Sequence, residues 1–129
     1  MIIRLSDMSP LPLREQIVRQ VRGSILSGEL QEQAQLPSIR ALAKEQRVGV
    51  VTVQRAFEDL EREGMIFARQ GKGYFVAPMT EAARKTEARD LASRMLQQPV
   101  REAMAMGLES SEIQDLVREL LASKERKHR

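Results

Sequence analysis

Basic and acidic side chains occupy separate stretches in the middle of the chain. Between Ser38 and Phe57 there are four basic residues and one acid, Glu45, which gives this stretch a net charge of +3. The six residues 58–63 carry four acids and one arginine, a net charge of −3, after which Arg69 and Lys72 restore a basic segment. Clustered cations on one face attract phosphate groups. On charge alone, a nucleic-acid surface and a chance cluster of solvated charges are equally good explanations.

The residues that most catalytic and metal sites require are missing from the sequence. It contains no cysteine and one histidine, His128, which stands beside the C-terminus. A catalytic triad, a structural zinc site or a His-rich metal centre would therefore lack its parts. The Gly71-Lys72-Gly73 run lacks the spacing and the following helix of a phosphate-binding loop. We expect a protein that is not an enzyme and needs no cofactor.

The overall composition is that of a small globular protein. The chain has 129 residues, 14.7 kDa and 42% hydrophobic residues, enough for one domain with an accessory segment. No apolar run approaches the roughly 20 residues of a membrane span, and the start of the chain lacks the apolar stretch of a secretory signal. We expect a soluble cytoplasmic protein.

Three helices are predicted in the first half from apolar residues at helical spacing. The first begins after Pro12, stops near Gly28, and is lined by Leu13, Ile17, Val21 and Ile25. The second is short, is capped by Ser38, and is lined by Ile39, Leu42 and Ala43. The third spans about 50–63, ends at Gly64, and is lined by Val53, Ala56, Phe57 and Leu60. Only a very short turn separates the second helix from the third.

A β-hairpin is predicted directly after the third helix. The runs Met65–Arg69 and Tyr74–Ala77 are strand-like and flank residues 70–73, in which two glycines can adopt positive φ. Three helices and a hairpin form a winged helix-turn-helix. The expected fold class is mainly α with a small β-hairpin, as a winged helix-turn-helix DNA-binding domain followed by a short helical dimerisation region.

The second part of the chain is predicted to be helical and to need a partner. We place the DNA-binding domain at 1–78, the helical dimerisation region at 79–123 and a basic, disordered tail at 124–129. Pro99 predicts a kink or break, and Gly107 predicts a helix end before a last helix that opens at Ser110 or Ser111. Three apolar stripes are predicted here: Leu91, Met95 and Leu96; Val100, Ala103 and Met104; and Ile113, Leu116, Val117, Leu120 and Leu121. About 50 residues cannot bury these stripes alone, so a second copy is the simplest cover, and we expect a homodimer.

The sequence resembles the GntR-type bacterial transcription regulators over about residues 11–77. The resemblance rests on four motifs in the family's order: Leu36-Pro37-Ser38-Ile39-Arg40-Ala41-Leu42-Ala43, Thr52-Val53-Gln54-Arg55-Ala56-Phe57, Leu60-Glu61-Arg62-Glu63-Gly64-Met65-Ile66 and Arg69-Gln70-Gly71-Lys72-Gly73-Tyr74-Phe75-Val76. The short tail, with Glu102-Ala103-Met104-Ala105-Met106-Gly107-Leu108, is similar to the YtrA-type subgroup, in which a small dimerisation region replaces a large effector-binding domain.

The resemblance implies roles for particular positions. Arg40 takes the place of an arginine that contacts the operator, Thr52 that of a backbone-contacting hydroxyl, and Gly71, between Gln70 and Lys72, that of a wing tip that reaches the minor groove. The chain also departs from the family: Val50 replaces an arginine that reads guanine, and Gly49-Val50-Val51 replaces an Asn-Pro-Asn. Arg47 and Gln33 each replace a glycine, and Arg14 replaces a tyrosine. The operator sequence therefore cannot be transferred.

The candidate site follows from the fold, the charges and the resemblance together. A recognition helix enters the major groove with its N-terminal turn leading, here about residues 50–63, with the wing at about 70–73. The candidate DNA-binding residues are Ser38, Arg40, Arg47, Val50, Val51, Thr52, Gln54, Arg55, Gln70, Gly71 and Lys72. For Val50 and Val51, one interpretation is contact with a thymine methyl group and the other is completion of the core.

The sequence favours a dimeric regulator, a repressor as in many relatives, that binds an inverted-repeat operator in double-stranded DNA. The alternative is a winged-helix module that binds protein without specific DNA binding. A small-molecule sensor is less favoured, because the tail has little polar or aromatic equipment for a pocket. The operator, the regulated genes, any effector and the sign of regulation are not encoded in these patterns.

Overall fold

The computed structural model describes residues 3–127, with side chains through residue 124. His128 and the end of the predicted basic tail lie outside the described residues. The described chain contains five helices and one hairpin: α1 Leu13–Leu26, α2 Ile39–Gln46, α3 Val50–Arg62, β1 Ile66–Arg69, β2 Gly73–Val76, α4 Glu81–Ala105 and α5 Ser110–Lys127. The predicted fold class is confirmed: a winged helix-turn-helix is followed by a helical region. The chain divides into two compact units, Met1–Thr86 and Glu87–Arg129.

The core of the first unit is made by the predicted helical stripes and the hairpin. Ile17, Val21 and Ile25 of α1 pack with the inner face of α3, where Val53 and Phe57 have no exposed surface. The hairpin closes this core with Ile66 and Val76, and the ring of Tyr74 meets the Phe57 ring edge-on at 5.3 Å. Burying large apolar side chains stabilises a fold by about 1.5–3 kcal/mol each, so these stripes hold the unit together.

The turn between α2 and α3 uses an arginine where a left-handed residue is needed. Arg47 ends α2 at φ 56° and ψ 45°, a conformation that favours glycine. The half-buried Val48 follows and donates its backbone N–H to the carbonyl of Ala43 at 3.0 Å. Gly49 is extended and serves as the N-cap of α3. The turn is therefore three residues long, as the sequence predicted.

The hairpin is antiparallel. Three of its four strand ends differ by one residue from the predicted runs Met65–Arg69 and Tyr74–Ala77. Ile66 pairs with Val76 and Arg69 with Gly73, so the turn contains three residues, 70–72. The Lys72 N–H donates to the Arg69 carbonyl at 2.9 Å, and Gly71 lies at φ 76°. This positive φ at the third position of a β-turn is the reason glycine suits that position.

The second unit consists of two long helical stretches, and none of the side chains described there, through residue 124, is buried. Of the kink or break predicted at Pro99, the break is wrong, because α4 continues through this residue, and the kink stays a prediction. A proline inside a helix costs about 3 kcal/mol, and here the helix-favouring residues on both sides outweigh that cost. Gly107, at φ 91°, follows the end of α4, and Ser110 opens α5, both as predicted. α5 is helical to Lys127, beyond the predicted boundary at 123.

None of the described helices combines the length and the apolar content needed to cross a membrane.

Two ion pairs join α1 to the C-terminal half of α3. Arg14 donates two hydrogen bonds to Asp59, Nε to Oδ2 and Nη2 to Oδ1, both at 2.6 Å. Arg62 adds a third to Asp59 at 3.0 Å, and Arg22 pairs with Glu63. The hydrogen bonds from Arg14 lower the pKa of Asp59 from 3.8 to about 2. Arg14 therefore anchors α1 to α3.

We expect Asp59→Asn to destabilise the first unit at pH 7 and to lose this effect in acid. A carboxyl whose pKa falls to about 2 on folding contributes stability above pH 3.8 and loses it as the pH falls through 2. The loss at pH 7 should be about 1 kcal/mol, because the pair is partly exposed. Urea unfolding of both proteins between pH 2 and pH 7 measures it.

Glu61→Gln is the matched control, because no cation pairs with Glu61 among the described side chains. A gap between Asp59→Asn and the parent that stays constant down to pH 2 would contradict a role for the charge.

Candidate nucleic-acid interface

The candidate residues lie on three neighbouring features: α2, the first two turns of α3, and the hairpin turn. α2 and α3 are held together by their buried faces, in which Leu42 and Val53 take part. The hairpin turn is tied to the segment that leads into α2 through a hydrogen bond from the Gln35 amide to the Lys72 carbonyl. The structure therefore brings the predicted residues of the wing next to the start of α2.

At the start of α2, Ser38 and Arg40 have different tasks. The Ser38 Oγ accepts a hydrogen bond from the Ala41 N–H at 3.0 Å, so it caps the helix as the sequence predicted. Its hydroxyl is exposed and can still donate. Arg40 stands two residues further on, with an exposed side chain.

The start of α3 presents apolar side chains to the solvent. Val50 is 42% exposed and Val51 55% exposed, whereas Val53 is completely buried. Neither valine completes the core, so the interpretation that they are core residues loses its support. Thr52, next to them, is half-buried.

Further along α3, Gln54 and Arg55 are both exposed. The Gln54 amide donates to Glu58 Oε1 at 3.3 Å, so one of its hydrogen-bonding groups is already used within its own helix. Arg55 has no such partner among the described residues. The acidic end of α3 begins one turn later, at Glu58.

The turn of the hairpin carries Gln70, Gly71 and Lys72, all of them exposed. A side chain at Gly71 would meet no atom within 4 Å, so the tip is bare. Its φ of 76° is unfavourable for other residues. The tip is therefore narrow and is bordered by one cation.

The cations of this surface differ in their pairing from the arginines of α1 and of the C-terminal end of α3. Across the described side chains, no carboxylate oxygen lies within 4.0 Å of Arg40, Lys44, Arg47, Arg55 or Lys72. By contrast, Arg14, Arg19, Arg22 and Arg62 are all paired with acids. All five cations of α2, its turn, the first two turns of α3 and the wing are thus unpaired, as are Arg4, Arg69, Arg84 and Lys85 elsewhere among the described side chains of the first unit. This surface can bind a polyanion without first breaking ion pairs.

Three side chains around the site were missed by the reasoning from sequence. Arg14 and Gln35 act through contacts between residues distant in the chain, which no local pattern announces. Arg69 lies over the rings of Phe67 and Phe75, 5.5 and 5.0 Å from their centroids. For Arg69 a signal existed, because Phe67 and Arg69 share one face of a strand and Phe75 pairs with Phe67.

Comparison with known proteins agrees with this geometry. Residues 13–76 match the family described as "Bacterial regulatory proteins, gntR family". The transcriptional repressor YtrA of Bacillus subtilis is 27% identical, over 94% of this chain and 93% of YtrA. The uncharacterized regulator YhcF of the same species is 31% identical over 81% of this chain and 86% of YhcF.

Solved structures also match. One described as a transcriptional antiterminator from Listeria monocytogenes superposes with a TM-score of 0.75 and 29% identity, over 93% of this chain and 90% of its own. The DNA-binding domain of AraR, in complex with operator ORR3, superposes with a TM-score of 0.51 and 27% identity, over 57% of this chain and 89% of its own. The chain therefore belongs to the gntR family of bacterial regulatory proteins, which are transcription regulators and not enzymes, and it resembles YtrA over nearly its whole length.

Proposed function

We propose that this protein is a repressor that binds an inverted-repeat operator as a homodimer, in the cytoplasm. The N-terminal turns of α3 enter the major groove, and the hairpin turn, residues 70–72, reaches the adjacent minor groove. The observation that carries the proposal is the pairing pattern of the cations: the five on α2, its turn, the first two turns of α3 and the wing have no acidic partner among the described side chains, whereas the arginines of α1 and Arg62 at the end of α3 do. AraR supports the proposal, because its DNA-binding domain has a similar fold and is seen in complex with operator ORR3.

The acids of α3 support this orientation of the helix. They lie at its C-terminal end, where Arg14, Arg62 and Arg22 neutralise Asp59 and Glu63. Repulsion between these acids and phosphates would oppose any docking that leads with this end. The N-terminal end combines exposed Arg55 with the positive end of the helix dipole, which favours phosphate.

Base recognition is assigned to the start of α3 and phosphate contacts to its flanks. Val50 and Val51 are exposed apolar groups, which in the major groove distinguish thymine by its C5 methyl. Arg40, Arg47 and Lys72 reach the backbone from α2, the turn and the wing. Ser38, Thr52, Gln54 and Gln70 supply hydrogen bonds to phosphates or base edges.

The homodimer is proposed from the second unit. No described side chain in 87–124 is buried, and nine large apolar side chains there are 37–75% exposed. A soluble chain does not leave so many apolar groups in water without a partner. A second copy of residues 79–123 offers the same surface in return, and two-fold symmetry of the dimer matches an inverted repeat in DNA.

Repression is proposed because YtrA of Bacillus subtilis, which matches 94% of this chain, is named a transcriptional repressor. A function limited to binding protein gains no specific support from the surface, since its dominant feature is unpaired positive charge. Salt-dependent affinity for duplex DNA separates the two functions, because only DNA binding releases condensed counterions. A binding site can be selected from random duplexes or sought in the DNA that flanks the gene.

We expect Arg40→Ala and Arg55→Ala to weaken operator binding while the fold stays intact. A lost phosphate contact should reduce the slope of log K against log salt by roughly one unit, and a lost base contact should cost about 1–3 kcal/mol. Fluorescence anisotropy at several salt concentrations measures both quantities. Arg62→Ala is the control on the same helix, since Arg62 pairs with Asp59. Equal affinity in all four proteins would refute the assigned face.

The valines at the start of α3 are expected to read a thymine methyl group. Replacing thymine by uracil at one operator position removes only that methyl, so one such change should weaken binding to the parent protein. The same change should have no effect on Val51→Ala or on Val50→Ala, whichever valine makes the contact. Binding that tolerates every single uracil would assign specificity to other residues.

We expect light scattering of the full chain at micromolar concentration to give twice 14.7 kDa. Leu120→Asp should shift the protein toward the monomer, because this side chain is 70% exposed within one chain and should be covered in the dimer. Met8→Asp, at a residue 93% exposed in the first unit, is the control and should remain dimeric. A parent protein that is monomeric under these conditions would rule out the proposed dimer.

A further inference from the structure

The hairpin has a strand-like neighbour formed by the segment that precedes α2. The Gln33 N–H donates to the Val76 carbonyl at 2.8 Å, and the Leu36 N–H donates to the Tyr74 carbonyl at 2.9 Å. Val76 in turn donates to the Ala34 carbonyl at 2.9 Å. These bonds hold the backbone of residues 33–36 beside β2, so Gln35 is fixed opposite Phe75.

From this position the Gln35 side chain reaches the turn of the wing. Its Nε2 donates to the Lys72 carbonyl at 2.7 Å. The same atom would lie 3.7 Å from a Cβ on Gly73, a residue held at φ 101°. The turn is thus closed from inside by the bond between Lys72 N–H and Arg69 carbonyl, and is held from outside by Gln35.

A turn with this composition needs such support to have one conformation. Gly71 and Gly73 flank Lys72, and glycine populates many backbone conformations at little cost. Two-stranded hairpins are also weak by themselves, and residues 70–73 at the tip are all exposed. The bond from Gln35 selects one geometry of the Lys72 peptide among those available to the free turn.

The same short segment also positions α2. One residue after Leu36 comes Pro37, and Ser38 then caps the helix that carries Arg40. Gln35 therefore connects the tip of the wing to the start of α2 through three residues of ordered chain. A change in the direction of the tip would alter its distance from Arg40.

We infer that Gln35 is a positioning residue for DNA binding: its amide holds the wing turn at a fixed distance from α2, so that both reach one duplex together. This inference rests on the proposed function of the wing. Gln35 increases the fraction of molecules whose wing is in the conformation that binds DNA. The apparent affinity is proportional to that fraction.

The test is Gln35→Met, which keeps the length of the side chain and its lack of charge but removes the donor. Loss of a hydrogen bond of ordinary strength should make operator binding roughly three- to tenfold weaker. The salt slope should stay at the parent value, because no phosphate contact is removed. Gln31→Met, in the same loop, is the control, since no hydrogen bond of the Gln31 side chain is found among the described residues. Its affinity should match the parent.

Measurements on the free protein separate this inference from the role of the wing itself. In Gln35→Met, NMR order parameters at Gly71 and Gly73 should fall, while those of α2 and α3 stay unchanged. Lys72→Ala serves as a direct test of the wing. Weaker binding by Lys72→Ala together with parental binding by Gln35→Met would overturn the inference, as would unchanged order parameters. Parental binding by both variants would overturn the minor-groove role of the wing, and the inference with it.

Discussion

The burial of one face of α3 is the constraint on which the rest of the first unit depends. Val53, Phe57 and Leu60 have no exposed surface, so the helix cannot rotate about its axis without exposing them. The opposite face is therefore fixed toward the solvent, with Val51 and Arg55 on it. The hairpin covers the same core with Ile66 and Val76, and this places its turn beside the segment that leads into α2.

Charge is distributed so that the arginines that stabilise the first unit differ from those of the proposed DNA-binding surface. Arg14 and Arg22 hold α1 against α3 by pairing with Asp59 and Glu63, at the end of α3 away from its leading turn. The cations of α2, the turn and the wing are left without acids. The ion pairs neutralise only part of the acidic run, so the C-terminal end of α3 is less suited to phosphate than its positive start. The one cation of the hairpin face, Arg69, is held by aromatic rings instead.

The second unit differs from the first, because contacts within one chain bury little of the apolar surface of its helices. α4 has no buried residue and still passes through Pro99. Its apolar side chains are exposed at intervals that form stripes, which suits an interface between copies better than an internal core. A dimer formed in this way would set the spacing of two winged helices, and hence of two half-sites.

Periodicity in the sequence was sufficient to predict the three helices, the hairpin and the fold class. Apolar residues with the spacing of Val53, Phe57 and Leu60 lie on one face of the chain only if that segment is an α-helix. The sequence also predicted the cap at Ser38 and the glycine-dependent turn, which are local. The continuity of α4 through Pro99 was not predictable, since it depends on a balance between one lost hydrogen bond and the flanking helix. The pairing of Arg14 with Asp59 and the reach of Gln35 to Lys72 join residues 45 and 37 positions apart. Only the tertiary structure decides such contacts, because side-chain hydrogen bonds between distant residues depend on how the backbone elements pack and leave no periodic signal in the chain.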